Sequence, residues 1–181
     1  YNKKYCKDPR YCSIRSLIKT GDLYGAEFCY STISYKLDIF DSDAYFKNPM
    51  EFYVVCTDVE TGKPVYRNCI TGLEEDLTWI RASASMPIAS KVVEATDYKL
   101  LDGGISDSIP LKYFESLGYN KNVIILTQPK GYIKKPTKAL PFIRAFLKEY
   151  PNVYKTMQNR HNDYNEVIKL IEEREKNGDV L

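Results

Sequence analysis

A carboxylate set between an apolar strand end and two glycines is the arrangement in this chain best suited to acid–base chemistry. Leu101-Asp102-Gly103-Gly104 follows Lys99-Leu100 and runs on through Ile105-Ser106-Asp107-Ser108-Ile109-Pro110. Carboxylates at the carboxyl end of a sheet strand are where α/β folds place ligand chemistry. Paired glycines let backbone approach closely and leave a neighbouring side chain uncrowded. Asp-Gly is also a favoured turn dipeptide, so these residues alone read first as a tight turn.

Other residues that could do chemistry have plainer readings. Ser83 and Ser85 precede Asp102 closely, but small residues on a helix packed against a sheet explain them better than nucleophiles do. His161 is the only histidine and lies in a polar helical stretch with Asn159, Arg160, Asn162 and Asp163, where a surface role is expected. Asp107 reads as a helix-start residue rather than a second catalytic acid. One histidine and five scattered cysteines give no metal-ligand spacing, and no cofactor motif is present; a G-x-G-x-x-G after a strand is missing, which excludes a Rossmann-type nucleotide site. Lys130, Lys134, Lys135 and Lys138 around Tyr132 and Ile133 form a basic loop, read as solvated and able to make transient contact with an anionic membrane surface.

The elements that must position Asp102 can be read from periodicity. Residues 1–48 show no sustained period and read as irregular, with a helical turn near residues 14–19. Glu51-Phe52-Tyr53-Val54-Val55-Cys56-Thr57 reads as a buried strand, and Val65-Tyr66-Arg67 returns beside it after the Thr61-Gly62-Lys63-Pro64 turn. Glu74-Glu75-Asp76 opens a helix that Pro87 must end near Met86. Residues 88–93 and 98–101 read as two short strands. Pro110 begins a helix stopped by Gly118, and residues 122–127 (Asn-Val-Ile-Ile-Leu-Thr) read as the clearest fully buried strand. Apolar spacing predicts a helix from Leu140 to about Tyr150, and another from Pro151 to a stop at Asn177-Gly178. Alternating strands and helices indicate a layered α/β fold in a single domain, residues 1–181.

Composition bounds the rest. Forty-four per cent hydrophobic and 28% charged residues place the chain among globular proteins rather than disordered ones. A formal charge of +2 gives no reason to expect nucleic acid as a partner. The odd number of cysteines, without a C-x-x-C pair, argues against a disulfide framework and for a reducing compartment. No apolar run approaches bilayer-spanning length.

The order of three segments gives Asp102 a wider context. Cys56-Thr57-Asp58-Val59-Glu60-Thr61-Gly62 is followed by Ala82-Ser83-Ala84-Ser85-Met86-Pro87 and then Asp102-Gly103-Gly104, with Thr20-Gly21-Asp22-Leu23-Tyr24-Gly25 upstream. Together these resemble the patatin-like phospholipase family, most closely its bacterial branch, over about residues 14–176. The resemblance implies a three-layer α/β sandwich, incomplete here at its N-terminal side. It also implies a Ser–Asp dyad hydrolysing phospholipid or another fatty-acyl ester, with Asp102 as the dyad's acid. The family's G-x-S-x-G elbow and glycine-rich oxyanion loop have no counterpart in these 181 residues. The resemblance therefore leads us to expect the C-terminal part of a cytoplasmic enzyme, peripheral at membranes, whose fragment is inactive by itself and self-associates. The alternative is a non-catalytic interaction domain derived from the same fold.

Overall fold

The computed structural model describes residues 2–178. Strands β1 (Tyr53–Asp58), β2 (Pro64–Asn68), β3 (Val93–Ala95) and β4 (Tyr98–Asp102) form one antiparallel sheet in the order β2-β1-β4-β3. Around it lie α1 (Asn2–Tyr5), α2 (Ile14–Thr20), a π-helix (Phe28–Leu37), α3 (Ser42–Lys47), α4 (Glu74–Ser83), α5 (Leu111–Ser116), α6 (Leu140–Phe146) and α7 (Pro151–Asn177). The chain is thus mixed α/β, as its periodicity predicts.

The sheet carries apolar side chains on both faces because successive residues of a strand point opposite ways. Leu100 belongs to a cluster with Val54, Cys56, Trp79 and Ala82, which brings α4 onto one face. Leu101 joins Ile105, Ile143, Leu147, Val153 and Met157, which brings α6 and α7 onto the other. Both leucines are fully buried, and each such burial contributes about 2 kcal/mol. The strand expected at residues 51–57 is therefore central and covered on both sides.

The hairpin β1–β2 is closed by Asp58, whose carboxylate accepts from the Glu60 N–H at 3.1 Å and the Thr61 hydroxyl at 2.7 Å. The next turn depends on another acid. Asp76, nearly inaccessible, accepts from the Thr71 N–H at 2.7 Å, the Thr71 hydroxyl at 2.9 Å and the Gly72 N–H at 2.9 Å. Asp76→Ala would leave the buried Gly72 N–H and the two part-buried Thr71 donors without their carboxylate, so we expect a loss of about 3 kcal/mol. Chemical denaturation measures it; a loss below about 1 kcal/mol would mean water satisfies the turn.

Several local expectations need correction. Residues 122–127 do not form a strand: no ladder runs along them among the described residues, and Val123 and Ile125 are 76% and 89% exposed. The apolar run has one face against α5 and α7 through Ile124, while nothing among the described residues covers or pairs with the other. Residues 88–93 are not a strand up to their last residue. Met86–Ser90 closes a turn, Ile88 adopts a left-handed φ of 74°, and the strand begins only at Val93. Residues 2–48 are not wholly irregular: the helical turn expected near residues 14–19 is α2, α1 and α3 are too short for periodicity to reveal, and the π-helix does not follow the α period. The helix α4 ends at Ser83 and α6 at Phe146, each a few residues before the expected stop. By contrast α7 starts at Pro151 and ends at Gly178 in a left-handed cap, both as predicted.

Candidate active site

Asp102 is the last residue of β4 and is paired with Cys56 of β1 across the centre of the sheet. Its N–H donates to the Ser85 carbonyl at 2.9 Å, tying the strand to the segment after α4. Its C=O accepts from the Thr57 hydroxyl at 2.8 Å, and Thr57 in turn meets the Ser106 hydroxyl at 2.8 Å. The backbone of this residue is therefore held on both sides.

The side chain is fixed by the turn after β4. Residues Gly103–Ile105 form a 3-10 turn, and the Gly104 N–H donates to Asp102 Oδ1 at 2.7 Å. Gly103 is needed for close approach: a methyl group built on it would lie 2.1 Å from the Val55 carbonyl oxygen. At Gly104 such a methyl would sit 3.0 Å from Asp102 Oδ1, crowding the carboxylate itself. The two glycines thus do separate work: Gly103 seats the turn on β1, and Gly104 leaves the carboxylate clear. Arg160 of α7 reaches the same turn and donates from Nε to the Gly104 carbonyl.

Burial pushes the Asp102 carboxyl above its ordinary value, and the Gly104 N–H and the Arg160 charge pull it partway back. A carboxylate of raised basicity held by one hydrogen bond is suited to accepting and returning a proton. Cys56 beside it is no nucleophile: burial, then the Cys69 and Asp102 charges, push its thiol up to about 12.

The other candidate side chains have structural partners. The Ser83 hydroxyl donates to the Val55 carbonyl at 2.7 Å and the Ser85 hydroxyl to the Arg81 carbonyl at 2.8 Å, so both serve packing. Asp107 does not cap α5, where Pro110 holds the N-cap position; it accepts instead from the Tyr66 hydroxyl at 2.7 Å. His161 lies on α7. The basic loop is less uniform than its sequence suggests. Lys134 Nζ lies 4.1 Å from the centre of the Tyr164 ring, and burial, helped by the Arg160 charge, lowers it to about 8. Lys130 pairs with Glu175 while remaining exposed, and Lys135 and Lys138 are exposed without an ion pair among the described residues.

Arg160, Thr57 and Ser106 are the neighbours that sequence reasoning missed. Arg160 is 56 positions from Gly104, and a polar arginine on a long helix carries no local signal of where it will reach. In comparisons with protein-family models, curated proteins and solved structures, the chain matches none of them.

Proposed function

We propose that this chain supplies the acid–base carboxylate, Asp102, of a Ser–Asp lipid acyl hydrolase built on a three-layer α/β sandwich of patatin type. The observation that carries this reading is the state of Asp102: at the end of a central strand, half-buried, raised in basicity and cleared of side chains by Gly104. Helices on both faces of the sheet support the sandwich. In the proposed cycle a serine outside these 181 residues gives its proton to Asp102 as its oxygen attacks the ester carbonyl. The protonated Asp102 then returns that proton to the leaving alcohol, and in the second half activates water against the acyl-enzyme. Histidine has no part in it, consistent with the place of His161 on α7.

Turnover, labelling and pH dependence test the reading. The 181-residue chain by itself should not hydrolyse p-nitrophenyl esters above buffer, because nucleophile and oxyanion donors contribute most of the rate. The protein as it is made in the cell should release fatty acid from phospholipid and be labelled by a fluorophosphonate at an elbow serine. Its kcat/KM should fall on acidification through a pKa above the ordinary aspartate value, since the base is lost on protonation. If that protein neither turns over ester nor takes the label, the reading is wrong. The interaction-domain alternative then stands, for which the exposed run at Val123 and Ile125 offers a surface.

A further inference from the structure

A cavity of about 690 Å³ lies away from Asp102. It is an open cleft lined by α2, the residues just before it, the start of the π-helix and Arg81 of α4. Four of its lining side chains are cationic, Arg10, Arg15, Lys19 and Arg81, against two carboxylates, Asp22 and Glu27.

Those charges are not equally committed. Arg81 is anchored by buried Asp22, donating to Oδ2 at 3.3 Å, and Asp22 Oδ1 also accepts from the Lys91 N–H at 2.9 Å. Arg10 is held by Asp8 through Nε and a terminal nitrogen, and its guanidinium lies 4.3 Å from the centre of the buried Phe28 ring. Both guanidinium groups are thus held in place with further N–H groups unused by these bonds. Arg15 and Lys19 stand one helical turn apart on α2, and neither makes an ion pair among the described residues. Ser16, between them in the same wall, adds a hydroxyl.

We propose that this cavity binds a small organic phosphate ester. Two anchored guanidinium forks, an ammonium and a hydroxyl match the several acceptor oxygens of a phosphate better than a planar carboxylate, which one fork satisfies. The volume decides between bare phosphate and an ester. It falls within the roughly 300–1,000 Å³ of small-molecule sites, far more than an inorganic anion fills. Pro9 and Ala26 in the lining supply apolar contact for the organic part. Nothing in this cavity requires Asp102 to be catalytic, so the two readings fail separately.

The 181-residue chain is titrated calorimetrically with glycerol 3-phosphate, with glycerol as the uncharged control, and is floated with phosphatidylcholine vesicles with and without phosphatidic acid. The variant R15Q/K19Q removes two exposed cations of the cavity without touching Asp22. The variant K135Q/K138Q removes the same charge elsewhere. We expect saturable binding weakened at least about tenfold in R15Q/K19Q and unchanged in K135Q/K138Q, since each charge-assisted contact contributes at least a factor of that order. Binding of the soluble ester identifies a free metabolite as the ligand source; binding only of phosphatidic acid vesicles, with the same variant pattern, identifies a lipid headgroup. Absence of saturable binding to either, or equal weakening in the two variants, overturns the proposal.

Discussion

Under the proposed function, Asp102→Asn should abolish ester hydrolysis, with kcat lowered by at least about a hundredfold and the fold retained. Asn fits the same space, and its carbonyl oxygen still accepts from the Gly104 N–H, as Oδ1 does now at 2.7 Å. What it lacks is basicity, so the attacking hydroxyl would have no proton acceptor. Stability should not suffer. A buried carboxyl with a raised pKa binds its proton in the folded state where the unfolded chain has already released it. From its ordinary value near 3.8 up to its raised one, it therefore makes stability fall as pH rises, and Asn removes that slope. The measurements are steady-state kinetics on phospholipid and thermal melts from acid to neutral pH. His161→Ala in the same assay should leave kcat nearly unchanged. An Asp102→Asn enzyme with near-normal kcat would reduce Asp102 to a turn residue, and a comparable loss at His161 would point to a histidine triad.

Gly103→Ala should be a severely damaging single methyl. The new carbon would sit 2.1 Å from the Val55 carbonyl oxygen, 2.5 Å from its carbon and 2.8 Å from the Val55 Cβ, two of them backbone atoms of the central strand. Backbone inside a sheet cannot step aside as a lysine tip can, so either β1 or the 3-10 turn must move. Overpacking of this kind costs about 3 kcal/mol or more, a large part of the stability of a typical domain. Denaturant titration gives the loss directly. A second effect arises at the carboxylate, because a displaced turn takes the Gly104 N–H away from Oδ1, and activity should fall further than stability. Gly21→Ala makes a useful contrast: there the nearest atoms belong to the flexible Lys91 side chain, and the cost comes chiefly from a φ of 80°. If Gly103→Ala melts like the parent protein, the close approach to Val55 is not a constraint.

Legible in the sequence is whatever rests on local chemistry. Pro151 and Gly178 bracket α7 because a fixed φ suits a helix start and a left-handed residue suits its end, and neither depends on the rest of the fold. Asp102 stands out because a strand end, an acid and two glycines are neighbours in the chain. Residues 122–127 mislead for the opposite reason. Their β-branched composition describes a strand that fits a sheet, but a strand exists only where another strand meets it, and Val123 and Ile125 have no such neighbour among the described residues. Ile88, Ala89 and Val92 likewise suggest a strand that starts too early, before the hairpin of Val93–Ala95 with Tyr98–Asp102, because only the tertiary structure holds Ile88 in a positive φ. Arg160 is out of reach of local reading, since its partner is a backbone carbonyl on another element.

The geometry of α7 has a consequence for the order in which the molecule comes together. Asn152 donates to the Glu60 carbonyl and Thr156 to the Gly62 carbonyl, contacts that span 92 and 94 positions of chain. Hairpins β1–β2 and β3–β4 need only short loops to close, so they and α4 can assemble early. The opposite face of the sheet must wait for a segment far along the chain to return. Until it does, Leu101 and Val59 face water, and the turn that holds Asp102 lacks Arg160. The setting of the carboxylate is therefore complete only when these long-range contacts form, and is not a property of the strand that bears it alone.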